Sequence, residues 1–146
     1  MKIGIASDHR GYKLKEKLKK YLEKKAYEVV DFGTDSTNSV DYPDFGIALG
    51  EAVRDNQVEY GIAICGSGIG ISIACNKVKG VRCAKVNNKR EAKYTRRDNN
   101  ANIIALNEKL FLFEAKDIVD AFLNTKYVEN ERYQRRIDKI TKYEGK

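Results

Sequence analysis

Proline is almost absent from this chain, one residue in 146; tryptophan is missing, and histidine and methionine occur once each. With so little proline and no Gly/Ser or Gln/Asn tract, neither a stiff nor a flexible linker is written into the sequence, so residues 1–146 are expected to form a single domain. Three cysteines, Cys65, Cys75 and Cys83, form no Cys-x-x-Cys pair and leave an odd thiol over. That suggests neither a disulfide framework nor a zinc knuckle and fits a reducing compartment. No apolar run approaches the roughly 18 residues of a membrane span, and Met1-Lys2 leads directly into a strand-like stretch without an apolar signal region. A cytoplasmic protein with no membrane partner is expected.

What the chain does contain is the mixture of an ordinary folded protein, 42% hydrophobic and 34% charged. Its formal charge of +7 favours an anionic partner, although the sign alone does not choose among a polynucleotide, a membrane surface and a small phosphate. Lys13, Lys15, Lys17, Lys19, Lys20, Lys24 and Lys25 crowd one segment without interleaved aromatics, the pattern of a solvated helix face. No stacking platform or recognition module accompanies them, so nucleic acid is not expected as a partner.

Short apolar runs alternate with amphipathic stretches from end to end, the pattern of βα units and a mostly parallel sheet. Strands are predicted at Lys2–Ala6, Tyr27–Phe32, Tyr60–Cys65, Val81–Val86 and Asn102–Leu106. Leu14, Leu18, Tyr21 and Leu22 make the stripe of a first helix, and further helices are predicted at Asp44–Arg54, Ile69–Val78, Lys89–Arg97, Glu114–Asn124 and Glu129–Tyr143.

In open α/β sheets ligands sit beyond the carboxyl ends of the strands, which directs attention to two loops. The first is Ser7-Asp8-His9-Arg10-Gly11 and the second Cys65-Gly66-Ser67-Gly68-Ile69-Gly70. Glycines at 66, 68 and 70 let backbone N–H groups face an anion or oxyanion at a helix start, though the spacing is neither the dinucleotide fingerprint nor a nucleotide P-loop. The same glycines also suit a plain tight turn. Cys65 at that junction reads as a base or nucleophile favoured as thiolate, or as a packed core thiol; Cys75 and Cys83 read as core. His9, beside Asp8, suits a phosphate ligand, a proton carrier or a loop cap. Arg132 and Arg136, one helical turn apart, project from one face, either as a phosphate clamp or as part of a surface charge cluster. Asp41-Tyr42-Pro43-Asp44 reads as a turn and helix cap.

Taken in order, Ser7-Asp8-His9, Asp41 to Asp44, Ile64 to Ala74, Asn76-Lys77, Asn99, Asn102 and the closing Arg132 to Arg136 resemble the ribose-5-phosphate isomerase B family, which also includes the galactose-6-phosphate isomerase subunits. The resemblance spans essentially the whole chain. It implies a Rossmann-like three-layer α/β sandwich on a five-stranded parallel sheet, a phosphorylated sugar substrate, no metal and no cofactor. It also implies a homodimer or dimer of dimers with sites across the subunit interface. By position Cys65 matches the base that moves a proton between C1 and C2, and Gly66, Ser67, Gly68, Ile69 and Gly70 match the loop that stabilises the enediolate. Asp8 matches a sugar-hydroxyl or ring-opening residue, His9, Arg132 and Arg136 match phosphate ligands, and Tyr42 and Asn99 line the sugar site. Three positions depart. Asp98 stands where a ring-opening histidine is usual and is placed in the catalytic set, Tyr133 replaces a second histidine, and Lys109 replaces a phosphate-binding arginine. The expected reaction is exchange of ribose 5-phosphate and ribulose 5-phosphate; a galactose-6-phosphate or other sugar-phosphate isomerase, or a noncatalytic sugar-phosphate-binding relative, is the alternative.

Overall fold

Helix follows strand throughout the computed structural model, which describes residues 1–145. In chain order the elements are β1 (Lys2–Ser7), α1 (Tyr12–Lys24), β2 (Glu28–Asp31), α2 (Tyr42–Arg54), β3 (Tyr60–Cys65), α3 (Ile69–Asn76), β4 (Cys83–Lys85), α4 (Lys89–Asn99), β5 (Ile103–Asn107), α5 (Leu112–Asn124) and α6 (Glu131–Glu144). All strand pairings are parallel, in the order β2-β1-β3-β5-β4.

The central strand explains itself. Ile62, Ala63 and Ile64 are fully buried because β3 is covered on both faces, which is why its sequence is a continuous apolar run. Ile62 and Ile64 face a layer built from α1, α4 and α5, where Leu14, Leu18, Leu22, Ile118 and Phe122 pack. Ala63 and Cys65 face α2 and α3, against Leu49, Val53, Ile71 and Cys75. Each fully buried Leu or Ile contributes about 1.5–3 kcal/mol relative to exposure, so these two clusters hold the helices to the sheet.

Several boundaries move from the expected places for local reasons. α2 starts at Tyr42 rather than Asp44, because Pro43 in the first turn lacks only an N–H that would have had no helical partner. β4 shrinks to Cys83–Lys85, while Val86 still donates its N–H to the Ala105 carbonyl. Cys83 is half-buried rather than a core residue, since β4 is the edge strand; there the Asn76 side chain bonds the Cys83 N–H and carbonyl, each at 2.8 Å. Lys15 reverses the expectation of a solvated face. It is 1% exposed, its Nζ donating to Asp31 Oδ2 at 2.7 Å and to Glu16 Oε2 at 2.9 Å. No helix among the described residues is long and apolar enough to cross a membrane.

From β1 the chain moves outward to β2, then crosses back to lay β3 on the other side of β1. The loops after β1 and β3 therefore diverge at a topological switch point, the place where an open α/β sheet leaves a crevice.

Candidate active site at the β1–β3 switch point

That crevice is a cavity of about 410 Å³ lined by Asp8, Arg10, Tyr42, Cys65, Gly66, Ser67, Gly70, Asn107 and Lys109. A larger concavity along α6, about 500 Å³, carries mixed charges and no cysteine or histidine. The switch-point cavity brings together a cysteine, a carboxylate and two cationic side chains.

Cys65 ends β3 and is 4% exposed, with its Sγ accepting the Gly68 N–H at 3.2 Å. That donor comes from the N-cap residue of α3, so the sulfur sits at the helix N-terminus. The glycines admit this geometry for separate reasons. Gly68 has φ of +79° and sits so close to the Leu106 carbonyl that a Cβ would lie 2.9 Å from its carbon. At Gly70 a Cβ would meet the Tyr42 ring at 2.7 Å, and at Gly66 it would meet Arg10 Nη1 at 2.7 Å. Two of the loop's N–H groups are already used, Gly68 on Cys65 Sγ and Ile69 on Ser67 Oγ at 3.1 Å. The loop is thus less open as an oxyanion cradle than its glycines alone imply.

Asp8 is 6% exposed, and its Oδ1 accepts the N–H groups of Arg10 and Gly11, each at 3.0 Å. That oxygen is committed to the turn into α1, and Oδ2 is the one left for a ligand. The other thiols are not competitors for the base. Cys75 Sγ donates to the Gly46 carbonyl at 3.3 Å, and a hydrogen bond donated by the Cys83 thiol to Cys75, together with burial, pushes the Cys83 thiol well up.

The family model for Ribose/Galactose Isomerase matches residues 3–140 of this chain. The chain belongs to the ribose/galactose isomerase family. Ribose-5-phosphate isomerase B of Escherichia coli strain K12 is 39% identical over 144 residues, covering 98% of this chain and 96% of that one. The Clostridium thermocellum ribose-5-phosphate isomerase B structure superposes with a TM-score of 0.97 at 49% identity, covering 99% of this chain and 98% of its own. The Mycoplasma genitalium ribose-5-phosphate isomerase B structure, with bound ribulose-5-phosphate, superposes with a TM-score of 0.94 at 40% identity, covering 99% and 97%.

Within one copy of this family member, only part of the expected set lies at the cavity. Asp8, Tyr42, Cys65, Gly66, Ser67, Gly70 and Lys109 line it, and Gly68 and Ile69 belong to the same loop. His9 is half-buried beside Asp8, its Nδ1 accepting the Val40 N–H at 3.2 Å, which leaves Nε2 as the nitrogen for a ligand. Asp98, Asn99, Arg132 and Arg136 do not line the cavity. Asn99 lines a different cavity, between α6 and the β4 edge. Arg132 and Arg136 are exposed on α6, with no side-chain ion pair among the described residues. Asp98 is gripped by Arg97, Nε to Oδ1 at 2.6 Å and Nη2 to Oδ2 at 3.2 Å. The hydrogen bond from Arg97, helped by the guanidinium's charge and by the Tyr133 hydroxyl, holds the Asp98 carboxyl below its usual range.

Two lining residues escaped the sequence reading. Arg10 follows Asp8 by two positions in the loop already singled out, and Asn107 ends β5 directly opposite Cys65 in the sheet register. The strand-end rule reaches both, since each sits at the carboxyl end of a strand flanking β3.

Proposed function

We propose that the protein is an aldose-ketose isomerase that interconverts ribose 5-phosphate and ribulose 5-phosphate. The observation that carries this reading is Cys65: a buried sulfur, held by the Gly68 N–H, at the switch-point cavity of a family whose Mycoplasma genitalium member has been seen with ribulose-5-phosphate. The chemistry needs one base for a carbon acid and donors where negative charge develops. Cys65 takes the C2 proton of the opened aldose and returns it to C1, while Asp8 Oδ2 accepts hydroxyl protons. Asp98, kept ionised by Arg97 and Tyr133, has no proton to give at neutral pH, so ring opening falls to Asp8 acting on the anomeric hydroxyl.

In this reading the working enzyme is a cytoplasmic homodimer or dimer of dimers. A second copy brings Asp98, Asn99, Arg132 and Arg136 to the cavity, where the arginines and His9 meet the phosphate beside Lys109. Support comes from α6, where only Ile137 is buried and Ile140 and Tyr143 stay exposed, and from the stacked and exposed Phe111 and Phe113. The ionised Asp98 also favours a second reading, a substrate with another hydroxyl for that carboxylate to accept, such as galactose 6-phosphate. An isomerisation assay across pentose and hexose phosphates decides. Fastest turnover of ribose 5-phosphate supports the proposal, preference for a hexose phosphate supports the second reading, and binding without turnover marks a noncatalytic relative.

A further inference from the structure

The loop after β1 places a cation at the catalytic cysteine that the family resemblance does not assign. Arg10 lines the same cavity as Cys65, and its guanidinium lies against Gly66, the next residue in the chain. A Cβ at Gly66 would stand 2.7 Å from Nη1, 2.8 Å from Cζ and 3.0 Å from Nε, so the guanidinium occupies the space that a side chain at position 66 would take. Both ends of Arg10 have partners. Its backbone N–H donates to Asp8 Oδ1 at 3.0 Å, and its Nη2 donates to Glu108 Oε1 at 3.4 Å, across from the loop after β5. Glu108 is itself tied to the catalytic strand, donating its N–H to the Cys65 carbonyl at 3.1 Å. Among the described residues, Arg10 Nε and Nη1 have no hydrogen-bond partner. An exposed pair of this length contributes little to stability, so holding the fold together does not account for it.

We infer that Arg10 is a further catalytic residue, whose Nε and Nη1 donate to the oxygen that turns negative as Cys65 removes the C2 proton, with Glu108 as its positioning residue. The inference rests on the isomerase reading above. The thiolate of Cys65 takes the C2 proton, the C2–H electron pair becomes the C1=C2 bond, and the carbonyl π pair moves onto O1. Return of the proton to C1, with loss of the O2 hydroxyl proton and protonation of O1, completes the ketose. Charge therefore appears on oxygens beside the cysteine while two of the loop's N–H groups are committed to Sγ and Ser67. A guanidinium offers two parallel donors for that purpose, which a lysine does not.

The test compares Arg10→Gln, Arg10→Lys and Glu108→Gln with wild type in steady-state isomerisation of whichever phosphosugar the wild type turns over best. Removing one oxyanion donor typically costs about 100-fold or more in kcat. Arg10→Gln should lose kcat on that scale with KM nearly unchanged, Arg10→Lys should recover part of it, and Glu108→Gln should lower kcat less than Arg10→Gln does. A phosphorylated aldonohydroxamate, a planar anionic mimic of the enediolate, should bind Arg10→Gln at least tenfold more weakly than wild type by calorimetry, while the sugar phosphate itself binds comparably. Wild-type kcat in Arg10→Gln overturns the inference, as does a loss confined to KM, which would make Arg10 a phosphate ligand. A wild type that neither isomerises any phosphosugar nor binds the mimic defeats the isomerase reading and this inference with it, whereas normal wild-type activity with an indifferent Arg10→Gln defeats the inference alone. If the glutamine variant does not fold, the lysine and Glu108 variants carry the same kcat-against-KM comparison.

Discussion

Replacing Gly68 by alanine probes the catalytic loop at its tightest point. The residue has φ of +79°, in the left-handed region, where a side chain costs about 1–2 kcal/mol. Its new methyl would lie 2.9 Å from the Leu106 carbonyl carbon and 3.0 Å from the oxygen. These are backbone atoms of β5 and do not swing aside. The loop must move instead, and with it the Gly68 N–H now 3.2 Å from Cys65 Sγ, a hydrogen bond contributing about 0.5–1.5 kcal/mol. Gly80 provides the control, since its φ is +84° but a Cβ there meets nothing within 4 Å. Gly80→Ala should therefore show the backbone cost alone, about 1–2 kcal/mol, as a lower urea midpoint with an unchanged slope. Gly68→Ala should cost about 1.5–3.5 kcal/mol and lower kcat by about 100-fold, because a catalytic group displaced by about 1 Å loses its approach to the reacting carbon. If Gly68→Ala is no less stable than Gly80→Ala and keeps wild-type kcat, the geometry assigned to this loop is wrong.

Asp31→Asn strands the buried Lys15 ammonium and should destabilise the fold by about 3 kcal/mol, the lower end for a broken buried pair because Glu16 still reaches Nζ. For Asp31 itself, burial raises the carboxyl but is outweighed by hydrogen bonds from Lys15 and Gly33 and by the lysine's charge, so it lies below the usual range. A carboxyl lowered on folding stabilises the native state above its unfolded pKa of about 4 and loses that contribution as pH falls through the folded value. The urea midpoints of wild type and Asp31→Asn should accordingly converge below about pH 4, and parallel curves down to pH 2 would contradict the pairing. Arg136→Ala should raise KM for the phosphorylated sugar about tenfold or more, the loss of one charge-assisted bond of about 1.5–3 kcal/mol, with kcat much less affected. An unchanged KM would remove α6 from the phosphate site.

How far the chain could be read depended on whether the deciding contact was local. The β3 run from Tyr60 to Cys65 and its glycine loop were legible because a doubly covered strand is continuously apolar and three glycines in five residues mark a turn, whereas the contacts those glycines make room for, Arg10, Leu106 and Tyr42, come from distant parts of the chain. Lys15 was not. Leu14, Leu18 and Leu22 marked the buried stripe of α1, but the partner that allows a lysine beside it is Asp31, brought close only when β2 pairs with β1. The family resemblance exposed Asp98 as a departure, yet its state is decided by Arg97 next to it and by Tyr133 on another helix. Arg132 and Arg136 were legible as a pair, since their spacing is one helical turn, but not as to target. α6 packs near the β4 edge of the sheet, away from the β1–β3 crevice of its own chain. Arg10 is not legible from its own loop, because what brings its guanidinium to the cavity is the space left at Gly66, 56 residues further along the chain.

The central claim is that Cys65 carries the proton between C1 and C2, and solvent-deuterium incorporation in Cys65→Ala tests it most directly. With ribulose 5-phosphate in deuterated water, wild type should place deuterium at the exchanging carbon as it turns over, and Cys65→Ala should leave that position protiated while still binding the sugar phosphate. Deuterium entering at the wild-type rate in the folded mutant would contradict the account and assign the base to another residue.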